Sequence, residues 1–298
     1  MPFDHTATIN FLWLELTNTC NLECTHCYAG SSPTEVDDAP LSFVEYERIL
    51  DDAAVGGCNS VQFIGGEPTL NRLLPDLIEA ARIKGFNFIE VYTNLVRLTD
   101  TQIEHYKRNG VRLATSVYGK DALTHDLVTT YSGSFVRTIS NIKKALKAGL
   151  DVRASVIRME SNFDKASDTV EWLKSIGVEN VGLDDARAFG RAQAKKPCDM
   201  GELCGECAGG TICVDPNGKV SPCIMSKAWS IGNVREDSFA KIAASKALKT
   251  LRAEIKQSVK IRMGGCQPSN KNPCGPDSGN CSPCSPNGNC GPNSCAPK

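Results

Sequence analysis

Short apolar runs recur along the first 183 residues, and most are followed by an amphipathic stretch with apolar positions three and four apart. Phe11–Leu16, Ser60–Ile64, Asn87–Tyr92, Val111–Val117, Asp151–Ile157 and Val178–Leu183 read as strands. Ser42–Val55, Asn71–Lys84, Thr99–Arg108, Ser134–Ala148 and Phe163–Ser175 read as helices, several closed by a glycine such as Gly85 or Gly149. Ser42 with Glu45 three residues on has the form of a capping box. Strand–helix units in series with short connections imply parallel strands joined by right-handed crossovers. The expected fold is therefore α/β, a partial (β/α)6 barrel related to the TIM barrel, with chemistry on the loops after the strands.

After Gly190 the pattern changes. Cysteines and glycines crowd Cys198–Met225, Pro216-Asn217-Gly218 marks a hairpin turn, and Asp237–Lys256 reads as one amphipathic helix. From Gly264 onward apolar side chains nearly vanish, and residues 264–298 hold six cysteines, seven prolines and six glycines. Such a segment builds no hydrophobic core of its own. The expected division is a barrel over 1–190, a cysteine-rich domain over 191–263 and a tail over 264–298.

Charge narrows the field. The 33 basic and 34 acidic residues of the 298 give a formal net charge of −1, without the basic excess of a dedicated nucleic-acid or membrane-surface binder. Neither a membrane span nor a secretory signal is visible, so the expected location is cytoplasmic. Fifteen cysteines in a reducing compartment point to metal or cluster ligation rather than to disulfides. Cys20, Cys24 and Cys27 follow the first strand, Cys58 reads as a small buried thiol, and eleven lie between Cys198 and Cys295.

The first three stand at C-x3-C-x2-C spacing. Three thiolates on one tight loop suit a 4Fe–4S cube with one iron left open. On the triplet alone, a zinc site completed by a remote ligand such as His26 is the alternative. The triplet, followed by the aromatic Tyr28, together with Gly65-Gly66-Glu67-Pro68-Thr69 after the second strand, resembles the radical S-adenosylmethionine (SAM) superfamily. The resemblance implies that Cys20, Cys24 and Cys27 hold a 4Fe–4S cluster whose open iron binds SAM. It implies SAM contacts from Tyr28, Gly65, Gly66, Glu67, Pro68, Asn94, Ser116 and Arg191. Glycine at 65 and 66 would let backbone approach the ligand closely.

Cys204, Cys207, Cys213 and Cys223 straddle the predicted hairpin. With Gly218 and Ile231-Gly232-Asn233-Val234, they resemble the start of the SPASM or twitch extension, which implies an auxiliary 4Fe–4S cluster. Cys281, Cys284, Cys290 and Cys295 approximate the second SPASM half, with a last gap of four rather than three, and would hold a second auxiliary cluster. The alternatives there are a flexible lid with incidental thiols or an adventitious zinc site. Cys266 is a candidate hydrogen-atom donor or ligand, and Asp184, Asp185 and Arg187 either position substrate or cap the sixth strand.

The activity implied by the resemblance is reductive cleavage of SAM to a 5′-deoxyadenosyl radical that abstracts hydrogen from a substrate. A one-electron reductant of the flavodoxin or ferredoxin type is the implied partner. A ribosomal peptide receiving a crosslink is one expected substrate. A sugar or nucleoside undergoing epimerisation or decarboxylation is the other. Only about ten residues precede the first strand, so a leader-peptide-binding protein, where needed, is expected to be separate.

Overall fold

The computed structural model of the protein describes residues 9–193, 197–205, 207 and 209–262. Cys266, Cys281, Cys284, Cys290 and Cys295 lie outside the described residues.

Six parallel strands form as the periodicity predicts: β1 (Phe11–Glu15), β2 (Ser60–Ile64), β3 (Phe88–Tyr92), β4 (Val111–Ser116), β5 (Val152–Arg158) and β6 (Asn180–Asp185). Helices follow them: α1 (Phe43–Val55), α2 (Leu74–Ile83), α3 (Asp100–Arg108), α4 (Ala122–Thr129), α5 (Ser134–Lys147) and α6 (Ala166–Ser175). The sheet runs β6-β5-β4-β3-β2-β1 and continues into β7 (Thr211–Val214), β8 (Lys219–Ser221) and β9 (Gly232–Asn233). With β6 at one edge and β9 at the other, it is an open α/β arrangement of the kind expected. β7 pairs parallel with β1, matching Phe11 with Thr211 and Trp13 with Cys213. The cysteine-rich region is thus hydrogen-bonded directly onto the first strand.

Alternation along the strands sorts side chains to two faces. Leu12, Leu14, Val61, Phe63, Ile89 and Val91 join the helices in the main core, with Tyr46, Ile49 and Leu50 from α1. Phe11, Trp13, Ile64 and Phe88 face the other way and pack with Cys204, Cys207, Cys213 and Cys223. Lower on that inner face, Glu90 is buried and accepts Arg153 Nε at 2.7 Å and Nη2 at 2.8 Å, with Gln62 Nε2 also donating to it. The Arg153 guanidinium lies over the Tyr92 ring, 5.4 Å from its centre. This polar layer, drawn from three strands, lies beneath the mouth that the site occupies.

Several boundaries differ from expectation. α4 was not anticipated; Asp121 caps it by accepting the Thr124 N–H at 2.8 Å. α2 begins at Leu74 rather than Asn71, because Asn71 folds back to donate to the Leu16 carbonyl at 2.7 Å and to accept the Leu73 N–H at 2.8 Å. α6 begins at Ala166, after a 3-10 segment Glu160–Lys165. The single helix expected over Asp237–Lys256 is two, α7 (Phe239–Ala243) and α8 (Lys246–Arg262). Ser245 starts the second by accepting the Leu248 N–H at 3.2 Å. The hairpin turn is as expected: the Asp215 carboxylate accepts the Asn217 and Lys219 N–H groups, and Gly218 takes φ +85°.

The capping box at α1 is present, and Glu45 also accepts Arg235 Nε at 2.8 Å. Arg235, then the Ser42 backbone and hydroxyl, hold the Glu45 carboxyl down at about 2. A lowered folded pKa stabilises above the ordinary carboxylate value, and the gain is lost as pH falls from there towards 2. Glu45→Gln keeps the capping box but loses the ion pair. Urea unfolding should show a loss of about 1 kcal/mol or less at pH 7, because solvent screens the pair, and a shallower acid dependence between pH 4.5 and 2.

Candidate functional site

β1 ends at Glu15, but backbone pairing continues past it. The Leu16 N–H donates to the Ile64 carbonyl at 2.9 Å, the Gly66 N–H to Thr17 at 2.7 Å and the Glu67 N–H to Thr19 at 3.0 Å. A Cβ on Gly65, whose φ is +132°, would stand 2.5 Å from the Thr17 carbonyl oxygen, and one on Gly66 would overlap that of Thr19. The glycines are therefore required by the approach of two protein segments, a reason that the sequence expectation of backbone closeness to a ligand did not contain.

The chain then turns into the cysteine loop. The Cys20 N–H donates to the Ser32 carbonyl at 3.0 Å, closing its base, and the Cys27 N–H donates to the Cys24 carbonyl at 3.1 Å. The Glu23 and Thr25 N–H groups donate to the Thr129 and Val128 carbonyls at the end of α4, at 3.4 and 2.9 Å. Arg191 spans the loop: Nε donates to Cys24 O at 2.8 Å, Nη1 to Gly30 O and Nη2 to Ser31 O, both at 2.7 Å. Its own N–H donates to Cys27 O at 2.9 Å. Before it, Gly190 has φ +54° and leaves no room for a Cβ against the Cys27 and Tyr28 carbonyls.

Cys20, Cys24 and Cys27 line one cavity of about 150 Å³ at the mouth of the sheet. Tyr28, Gly65, Gly66, Asn94 and Ser116 line it too. Asn94 Nδ2 reaches the Cys20 sulfur at 3.8 Å and Asn21 Oδ1 at 2.7 Å, while Ser116 Oγ lies 2.8 Å from the Tyr92 hydroxyl. Three predicted residues stand outside the cavity lining. Arg191 is spent on the loop carbonyls. Pro68 is buried in the first turn of a 3-10 segment. Glu67 is 2 % exposed, and its carboxylate accepts the Thr93 hydroxyl at 2.7 Å, the Asn94 N–H at 2.8 Å and both donors of Thr69. Burial raises the Glu67 pKa against those hydrogen bonds. Its visible role is to tie the end of β2 to the end of β3 and so to set Asn94.

Of the remaining walls, Asp184, Asp185 and Arg187 were candidates from sequence, and the apolar residues were not. Ile64, Ile157, Ile224 and Met225 make them largely apolar, and the last two follow Cys223, so the second cysteine zone reaches the first site. Tyr118, His26 and His125 add an aromatic group, with the His26 ring centre 4.9 Å from that of Tyr118. Burial lowers both histidines to about 4, so both are neutral at pH 7. Asp184 and Arg187 close the rim and pair at 3.5 Å, and burial raises the Asp184 carboxyl.

The donor set fits a cluster better than one ion. Among the described residues, no three His, Cys, Asp or Glu side chains converge on a single metal position. Burial pushes the Cys20 and Cys24 thiols up to about 12, and the neighbouring thiols add to the rise. Thiolates in such a setting are favoured by a bound cationic centre that spreads its ligands over several irons. The second zone fits in the same way. Cys204, Cys207, Cys213 and Cys223 are all buried, and Cys207 shares hydrogen bonds with Cys204 and Cys223. Beside them, Arg252 of α8 donates to the Thr211 carbonyl at 2.7 Å while its Nε is buried without a partner. Lys227 pairs with the buried Glu15 at 2.7 Å. Such charges have no signature in a cysteine spacing.

The parallel strands β1 to β6 carry three cysteines after the first and a glycine pair after the second, at one cavity. The chain belongs to the radical SAM superfamily, which matches residues 14–173, and residues 204–274 match the SPASM iron–sulfur cluster-binding domain. The radical SAM domain binds a 4Fe–4S cluster and SAM. Among curated proteins, the chain is 30% identical over 180 residues to the sporulation killing factor maturation protein SkfB of Bacillus subtilis, covering 60% of this chain and 43% of that one. It is 34% identical over 167 residues to the AdoMet-dependent heme synthase of Methanosarcina barkeri, covering 55% and 47%. The chain thus spans about half the length of these relatives. Its fold is like that of Streptococcus suis SuiB bound to the precursor peptide SuiA, with TM-score 0.68 and 16% identity over 84% of this chain and 68% of that one. No described helix is long and apolar enough to cross a membrane.

Arg191→Lys replaces a fork with a point charge that cannot serve three carbonyls. It should destabilise the metal-free protein by about 2–3 kcal/mol in urea unfolding. Alkylation of Cys24 and Cys27, followed by mass spectrometry, should speed up at least tenfold over the native protein.

Proposed function

We propose that the protein is a SAM-dependent radical enzyme that modifies a ribosomally made peptide, installing a crosslink or related change. The observation that supports it most directly is the convergence of Cys20, Cys24 and Cys27 with Gly65 and Gly66 on one cavity at the strand ends. Cys20, Cys24 and Cys27 would hold the SAM-binding cluster, and Cys204, Cys207, Cys213 and Cys223 an auxiliary one. The chemistry supplied when cluster and SAM are bound is one-electron reductive cleavage to a 5′-deoxyadenosyl radical, which takes a hydrogen atom from the substrate.

The chain's own residues then have distinct tasks. Arg191 and Gly190 fix the path of the cysteine loop. Glu67 holds Thr93 and Asn94, and Asn94 in turn holds Asn21 beside Cys20. Ile64, Ile157, Ile224 and Met225 keep water from the cavity, which protects a reactive carbon-centred species. His26 and His125, neutral at pH 7, add no charge to the wall. Asp184 and Arg187, paired at 3.5 Å, form a polar edge of the cavity against which a polar backbone entering from outside would lie. A peptide supplies such a backbone, and the similarity to SkfB and the likeness to SuiB bound to SuiA support that substrate class. A small molecule is the second reading, favoured by the similarity to a heme synthase.

Anaerobic reconstitution should load about eight irons and eight sulfides, and 5′-deoxyadenosine should form only when SAM and dithionite are both present. Cys20→Ala should abolish that product and remove about four irons. Cys207→Ala should remove about four irons while leaving SAM cleavage detectable. A mass change in a short peptide encoded beside the gene would support the peptide reading, and turnover of a sugar or nucleoside alone would replace it. Zinc in place of iron, with no SAM cleavage, would refute both.

A further inference from the structure

The last helix, α8, buries one face. Its buried positions are Leu248, Leu251, Arg252, Ile255 and Val259, the spacing of an amphipathic helix laid on a core. Four of the five are apolar, and Leu251, Ile255 and Val259 pack in the group that holds Cys204, Cys207, Cys213 and Cys223. Arg252 is the exception. An arginine on such a face ordinarily runs its stem over the apolar surface and sends its guanidinium out to water. This one is 8 % exposed. Its Nη2 donates to the Thr211 carbonyl at 2.7 Å, at the first residue of β7, and its Nε is buried without a partner.

A buried cation calls for a counter-charge, and a buried donor for an acceptor. No carboxylate among the described residues pairs with Arg252, and the acid of its own helix, Glu254, is exposed. The acids nearest the cysteines are already matched. Glu15 pairs with Lys227 at 2.7 Å beside Cys213, and Asp184 with Arg187 at 3.5 Å beside Cys204. Burial works against the charge of Arg252, and the group that works for it is Cys207. Cys207 is itself buried and shares hydrogen bonds with Cys204 and Cys223. The one unmatched cation of this zone thus stands beside the thiol that links two others. A thiol brings no charge to offset it, whereas a thiolate bound to a cluster does.

We propose that Arg252 is the built-in counter-cation of the auxiliary cluster held by Cys204, Cys207, Cys213 and Cys223, and that its charge and unpartnered N–H raise that cluster's reduction potential. The inference rests on the reading of those four cysteines as a cluster site and names the residue that tunes it. Four thiolates around a 4Fe–4S core leave a net negative charge, which grows by one when the centre takes up an electron. A guanidinium fixed beside it favours the reduced form over the oxidised one, and hydrogen bonds to sulfur act in the same direction. Away from water that preference is little screened. Arginine suits the task because it keeps its proton at any working pH, so its charge is permanent. Lys227 does not serve in its place, because Glu15 cancels its charge. Arg252 is neither a ligand nor a contact of the substrate; it acts through the cluster.

The test isolates the auxiliary centre in the full chain carrying Cys20→Ala, reconstituted anaerobically and titrated with dithionite and redox mediators while EPR follows the reduced form. Adding Arg252→Met should shift the one-electron equilibrium about tenfold towards the oxidised form, a potential about 59 mV lower. Adding Arg252→Lys, which keeps the charge, should leave the equilibrium within about threefold of the Cys20→Ala protein. A role confined to holding the Thr211 carbonyl would lower iron loading in both variants and leave the potential of the loaded fraction unchanged, and that result would overturn the inference. Nitrogen-15 labelling of arginine gives a second readout that needs no change at residue 252. The reduced centre should show an electron–nuclear coupling to an arginine nitrogen, and the coupling should survive Arg187→Lys. Its absence would refute the inference even where Arg252→Met fails to fold. Iron absent from the reconstituted Cys20→Ala protein would sink the cluster reading of the second zone, and the inference with it.

Discussion

The architecture of the site depends on one close approach, that of the Gly65-Gly66 backbone to the segment from Thr17 to Thr19. It extends the β1–β2 pairing beyond both strands, through Gly66 N–H to Thr17 O at 2.7 Å and Glu67 N–H to Thr19 O at 3.0 Å. Any side chain at 65 or 66 would force the two segments apart. With them together, Cys20 begins its loop at the cavity edge, and Glu67 is turned beneath it to gather Thr69, Thr93 and Asn94. One contact therefore positions both the thiols and the wall that faces them.

The second constraint is electrostatic. The inner face of the sheet buries groups that water would otherwise solvate: Glu67, the Glu15–Lys227 pair, Glu90 with Arg153, Arg252 and five cysteine thiols across the two zones, with Cys24 and Cys27 half-buried beside them. Buried charge of this kind is weak ground for stability, because desolvation consumes most of what the pairing returns. Hydrogen bonds meet most of that cost, as in the three donors that Arg191 gives to loop carbonyls and the four that Glu67 accepts. The thiols have no such compensation of comparable strength, and burial drives Cys20 and Cys24 to about 12. The protein thus folds around positions whose chemistry is completed by what binds there.

Much of this was legible in the sequence. The six strands were marked by runs of β-branched and aromatic residues, and the α1 capping box by Ser42 and Glu45, because these are local signals. The cysteine triplet and the Gly65-Gly66 segment were legible because their spacing is itself chemical. What escaped depends on contacts between distant parts of the chain. Arg191 was expected as a SAM contact and is instead a clamp on the loop carbonyls, which it becomes only where the chain returns to Cys24. Arg252 and Lys227 stand beside cysteines that precede them. Ile224 and Met225 reach the first cavity only because β7 is laid on β1. α4 escaped for a different reason: its outward Leu123 and Leu127 blur the amphipathic period that marks the other helices.

The parallel pairing of β7 with β1 sets an order of events during synthesis. Phe11–Leu14 waits for Thr211–Val214 to be made, and Arg191 bonds to a carbonyl 167 residues earlier. At a translation rate of roughly 5–20 residues per second, the first strand keeps an unpaired edge for about ten seconds or more. Such long-range pairing raises contact order and slows folding. Through that interval the cysteine loop exists without its clamp, an open set of thiols on a nascent chain. Metal insertion therefore belongs after release of residue 214 from the ribosome, when the loop first has a fixed shape, and a chain truncated before that point would expose both a sticky strand and three reactive sulfurs.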